Sequence, residues 1–188
     1  SRTLAHEILV RLERLGIVEQ RESRWFAGPL TQEDLRDHYE MRWVLEPLAL
    51  AAAVPGISPA MIEERRARVR RILSLPSMTI GDMIDLEKDI HTDFVLRSPN
   101  TQMVETIRRS QLVLIPTNFP LQGFKDQALL IHGAVEHLTI LDRLANDDIQ
   151  GAQNALEHHI RLAFESTSKI VKAHATIWNT PPYMTRED

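Results

Sequence analysis

Glu87, His91, His137 and His159 offer one carboxylate and three imidazoles, a donor set that suits a divalent transition metal. Glu87 and His91 stand at i and i+4, so a helix would place them one above the other on a single face. His137 and His159 are 22 residues apart in two segments of helical period, joined near Asn146-Asp147-Asp148. An antiparallel helix pair would bring both rings to one level. Zinc comes first among the metals such donors hold, with nickel, iron or manganese as alternatives, and an open coordination position would accept water or an organic acid. A plainer reading stands beside this one. Eight histidines in 188 residues often generate an acid and histidine at helical spacing, and such pairs also serve as ordinary helix contacts. His158 points about 100° away from His159 on a helix, and His132 falls off the face of His137.

Three function classes fit a metal in a helical bundle. A bound water acidified toward neutrality would make a hydrolytic enzyme. No HExxH motif, Gly-rich phosphate loop or GxSxG elbow accompanies the four residues, so catalysis is the weaker alternative. A purely structural helical dimerisation module is another, and a ligand-sensing protein the third. Arg42 bears on the choice, because a guanidinium inside a bundle suits a bidentate grip on a carboxylate. It would equally form an i, i+4 ion pair with Glu46.

The elements that must carry these residues are nearly all helical. Leu4, Ile8, Leu12 and Leu15 recur at helical spacing between a Ser1 cap and a Gly16 stop. Ile17 to Gln20 and Trp25 to Ala27 read as two short strands around a polar turn, and Gly28-Pro29 breaks the pattern. Thr31 with Asp34 makes a capping box that opens a long helix, with a kink or local break expected at Pro47 and an end at Pro55-Gly56. Ser58-Pro59 starts a second helix, whose arginine-rich run to Arg71 suggests a solvated outer face. A third spans about Thr79 to Arg97, a fourth runs from Asn100 to about Leu114, a loop occupies Pro116 to Gly123, and two more helices cover roughly Lys125 to Ala145 and Asp148 to Ala173. A Pro-rich polar tail follows.

Length and composition agree with that reading. At 188 residues and 43% hydrophobic the chain can bury one substantial core. No apolar run approaches the roughly 20 residues of a membrane span, and the absence of cysteine removes thiolate sites and fits a reducing cytoplasm. The net charge of −4 gives no global case for nucleic acid, so DNA binding must rest on a local segment.

With these segments in order, the chain resembles GntR-type transcription regulators of the FadR branch, over essentially residues 1 to 173. In that family a winged helix-turn-helix precedes an all-helical ligand-sensing domain called FCD. Ser1 to Leu9, with Leu12 and Leu15 to Glu19, is similar to the recognition helix and the entry to the wing. Thr31 to Leu35, Tyr39 to Arg42 and Leu45-Glu46-Pro47 are similar to the opening of the sensor domain.

The resemblance implies an all-α, antiparallel six- to seven-helix bundle preceded by the remnant of a winged helix-turn-helix. It divides the chain into residues 1–28, a helical metal- and effector-binding domain at 29–175, and a tail at 176–188. It implies Glu87, His91, His137 and His159 as metal ligands, Arg42 as an effector contact, and Ser1, Arg2, Thr3 and His6 as the helix start that approaches operator DNA. The implied partners are a small organic acid, operator DNA and a second copy of the chain, in the cytoplasm and with no membrane. Glu87 stands where the family usually has Asp, Ile90 where it has Phe, and His6 where it often has Arg. Five Arg against four Glu between Ser1 and Arg24 leave a net +1, so a complete DNA-binding module would need two further helices ahead of Ser1 to supply phosphate contacts.

Overall fold

The structure is a computed structural model and describes residues 1–14, 17–27, 31–114 and 127–173. The stops expected at Gly16 and Gly28-Pro29, the loop at 116–123 and the polar tail at 176–188 lie outside the described residues.

Helix α1 spans Arg2–Arg14, and Ser1 caps it by accepting the Leu4 amide at 3.3 Å. A two-stranded antiparallel hairpin follows, β1 at Val18–Arg21 and β2 at Arg24–Ala27, with Arg21 facing Arg24 in register. The two turn residues, Glu22 and Ser23, have positive φ of 46° and 63°. That is the backbone a two-residue hairpin loop demands, here adopted without the usual Asn or Gly. His6 of α1 meets Trp25 of β2 edge to face, with ring centroids 6.1 Å apart.

The remaining described helices form the bundle. Helix α2 (Gln32–Ala53) opens on the expected capping box, in which the Thr31 hydroxyl accepts the Asp34 amide and Asp34 accepts the Thr31 amide, each at 3.0 Å. Pro47 lies inside α2 without interrupting it. The lost hydrogen bond to the Trp43 carbonyl is offset by packing, since Leu35, Tyr39, Arg42, Glu46, Ala49, Leu50 and Ala53 are all buried along one face. Helix α3 (Pro59–Leu73) starts at the expected Ser58 cap and packs on α6 (Gln127–Ala145), while α7 (Ile149–Ala173) packs on both α6 and α2. Helix α5 (Thr101–Leu114) also packs on α2, and Asn100 caps it by accepting the Met103 amide at 3.1 Å. Leu86, Ile90, Phe94, Ile107, Ile140, Leu141, Leu156 and Ile160 are fully buried where these helices meet.

Two expectations need correction. The single helix expected from Thr79 to Arg97 is instead α4 (Ile80–Glu87), a π turn at Lys88–Thr92 and a 3₁₀ turn at Val95–Arg97. The Asp93 amide donates to the Lys88 carbonyl at 2.8 Å, five residues back, which inserts one residue into the turn that holds His91. Nor is the arginine-rich stretch of α3 simply a solvated face. Arg65 Nε lies 2.7 Å from Asp89 Oδ1, and Arg68 donates to that same oxygen at 2.9 Å. Arg65 also donates to Asp93 at 3.0 Å, so α3 grips the π turn from outside. Arg66 meanwhile donates to Asp142 of α6 at 2.7 Å.

Candidate metal centre

The bundle brings Glu87, His91, His137 and His159 together, with one potential ligand atom from each lying within 4.8 Å of all the others. Glu87 Oε1 is 3.4 Å from Nε2 of both His137 and His159, and its Oε2 is 3.4 Å from His91 Nε2. The extra methylene of glutamate therefore still reaches the three rings. His91 comes from the π turn, while His137 and His159 come from facing positions of α6 and α7, their ring centroids 4.5 Å apart. The tight connection between α6 and α7, with Asp147 at φ 56° and Asp148 accepting the Gly151 amide at 2.9 Å, sets that level. His132 and His158 are exposed, as expected.

The three rings are buried, and each of two of them hands its outer nitrogen to a carboxylate. His91 Nδ1 makes a short hydrogen bond to Glu46 Oε2, and His159 Nδ1 lies 2.9 Å from Glu136 Oε2. A ring donating from Nδ1 to a carboxylate leaves Nε2 as the nitrogen facing inward. Buried Nε2 atoms of His91 and His137 have no hydrogen-bond partner. Unpaired polar atoms in a core are costly, and here they converge on one carboxylate with donor chemistry suited to a divalent transition metal. The residues present thus fit such an ion.

Electrostatics reinforce the geometry. Burial alone would raise the Glu46 carboxyl, but the charges of Arg42 and His91 overcome it and hold the group at about 2. Glu87 likewise feels burial upward yet sits well below the usual carboxylate range, because His91, His159 and His137 surround it. Burial, with His159 beside it, depresses His137 to about 3, so this ring is neutral at physiological pH. His159 is pushed the other way, to about 9, since hydrogen bonds to Glu136 and Glu87 outweigh its burial. Without metal the cluster therefore neutralises its own acids with a histidinium, a proton that a bound metal would displace.

Arg42 sits beside His91, its side chain only 10% exposed, and donates from Nε to Glu46 Oε1 at 2.6 Å. Its guanidinium also lies over the Tyr39 ring at 5.4 Å. Of the two readings of Arg42 drawn from sequence, the structure shows the i, i+4 pair with Glu46, and it places the guanidinium beside His91. Sequence reasoning did not place Glu46, Glu136 or Gln111 around the imidazoles. Gln111 of α5 donates to Glu46 Oε1 at 3.2 Å and to the His91 carbonyl at 3.1 Å. Spacing within a helix could have flagged Glu46 through Arg42, but nothing local ties Gln111 or Glu136 to a ring on another helix. Arg2, Thr3 and His6 lie on exposed α1, preceded by Ser1, apart from the bonds of Ser1 and His6 already described.

The described residues define the class of protein as an all-α bundle in which four potential donor side chains converge. More particularly, the chain belongs to the FCD domain family, whose profile matches residues 37–162. Solved structures similar to it include a crystal structure of a transcriptional regulator, a GntR family member, from Pseudomonas syringae pv. tomato str. DC3000. The TM-score is 0.59 at 16% identity, covering 94% of this chain and 73% of that one, a likeness of fold. Comparison with curated proteins returns no match.

Proposed function

We propose that this chain is a metabolite-responsive, DNA-binding transcription regulator whose helical domain, residues 29–175, binds a divalent transition metal and a small carboxylate effector. The observation that carries this reading is the convergence of Glu87, His91, His137 and His159, with orphaned imidazole nitrogens, inside a domain of the FCD family. Zinc suits three nitrogens and one oxygen; nickel, iron and manganese are the alternatives. When bound, the metal would supply open positions to an anion. Arg42 would offer that anion a second positive partner, and binding to the folded state would bias the domain's conformation.

Sensing is favoured over catalysis by the carboxylate beside His91. Glu46 is committed through both oxygens, to Arg42 and Gln111 on one side and to His91 on the other, so it is not free to serve as a general base. The head, residues 1–28, would present Ser1, Arg2, Thr3 and His6 to operator DNA as part of a winged helix-turn-helix. Exposed Met41, Val44 and Leu48 follow one another at helical spacing along the outer side of α2, a surface suited to a second copy of the chain.

Native-purified protein should contain stoichiometric metal by elemental analysis, and a chelator should lower its melting temperature. Saturation at 100 times Kd corresponds to about 2.7 kcal/mol. Arg42→Ala should weaken binding of a test carboxylate such as citrate to protein kept saturated with metal. No bound metal and an unchanged melting temperature would remove the basis of the proposal.

A further inference from the structure

Glu46 is the one acidic side chain of α2 that is fully buried, at 0% exposure, and its two oxygens are divided between distinct tasks. Oε1 accepts from Arg42 Nε at 2.6 Å and from Gln111 Nε2 at 3.2 Å, while Oε2 is left for His91 Nδ1. Arg42 Nη2 also approaches His91 Nδ1 to 3.2 Å, and two donors that close need a shared acceptor beside them. Gln111 holds the other end of the unit through the His91 carbonyl at 3.1 Å. His91 itself rides on a π turn, where the backbone does not fix ring direction as a regular helix does.

We infer that Glu46 is the positioning residue of a Glu46, His91 and metal triad, with Arg42 and Gln111 serving to hold Glu46 in place. This rests on the metal reading above and deepens it. A carboxylate on the outer nitrogen fixes the ring's tautomer, aims Nε2 at Glu87, and raises the basicity of that nitrogen. It also gives Arg42 a task beyond, or instead of, contact with an effector. Glu136 of α6 stands against His159 Nδ1 in the same way, with His132 rather than an arginine on its other oxygen.

The test measures zinc affinity by competition with a chromophoric chelator, together with the Nδ1 proton of His91 by nitrogen-edited NMR of the zinc-loaded full chain. Glu46→Gln alone leaves Arg42 buried without its counter-charge, so the informative variant is the pair Glu46→Gln with Arg42→Gln, checked for helicity by circular dichroism. Glu46→Asp keeps the charge beside Arg42 and only withdraws the acceptor by a methylene. The paired variant should bind zinc about 10- to 100-fold more weakly, with the His91 proton moved upfield and the His137 signals unmoved. Glu46→Asp should show a smaller loss in the same direction. A folded paired variant, or a folded Glu46→Asp, with zinc affinity within about threefold of the parent and an unmoved His91 proton would overturn the inference; such a threefold window is roughly 0.65 kcal/mol. A parent chain that binds no zinc at all would instead overturn the metal reading on which it rests.

Discussion

The two sides of the centre deliver the same group, an imidazole facing Glu87, by different physical means. His137 and His159 stand on regular helices, and the antiparallel seating of α6 against α7 is enough to bring their rings to 4.5 Å. His91 stands on a π turn and depends on three neighbouring helices: Glu46 and Arg42 from α2, Gln111 from α5, and the Arg65 and Arg68 grip on Asp89 from α3. A ligand on a regular helix inherits its direction from backbone geometry. One on an irregular turn needs buttresses, and those buttresses are where substitutions should hurt most.

That contrast breaks most directly at the two supporting carboxylates. Glu46→Ala strands a buried arginine and should cost about 3–5 kcal/mol in urea unfolding, much of it recovered when Arg42→Met is added. Glu136→Ala should cost only about 1–2 kcal/mol, because Glu136 lines an open groove between α6 and α7 where water can replace it. Equal losses at the two positions would mean that the sides are not differently built.

A smaller effect is expected outside the π turn. Asp89→Ala removes the ion-pair partner shared by Arg65 and Arg68 and should destabilise by about 1–3 kcal/mol. Hydrogen exchange should quicken at the amides of residues 88–92 and stay unchanged across α7 around His159. Uniform loss of protection in both places would contradict a separately supported turn.

The most specific effect is a pH dependence confined to the regular-helix side. In chelator-treated protein His159 has its proton affinity raised from 6.5 to about 9, so the folded state holds that proton more tightly than the unfolded state does. Its contribution to stability is fully present below the unfolded value and is lost as pH rises through about 9. His159→Gln should therefore destabilise the metal-free protein at pH near 6 and much less near pH 10, whereas Glu46, already ionised, gives no such dependence over that window. A loss of equal size at both pH values would show that hydrogen bonding without charge is all His159 supplies.

How much of this was legible in the chain follows the same division. The caps at Thr31, Ser58 and Asn100, the α6 and α7 pair, and the convergence of the two later histidines could be read from periodicity and short-range chemistry. The π turn could not. Its sequence, Lys88 to Thr92, continues a helical pattern, and the inserted residue is stabilised by arginines more than 20 positions earlier. The arginine-rich stretch of α3 was misread for the same reason, since a charge run looks solvated until its distant acids are known.

By itself the sequence determined the helical class, the order of the elements and which four side chains were candidates to converge, because helix period, capping residues and imidazole chemistry are local properties. Only the tertiary structure decided how those donors are held. It set Glu46 on His91, Glu136 on His159 and Gln111 between two helices, pairings across 45, 23 and 20 residues of chain. Hydrogen bonds and ion pairs form wherever packing leaves a donor beside an acceptor, and that proximity is a property of the folded bundle rather than of any segment within it.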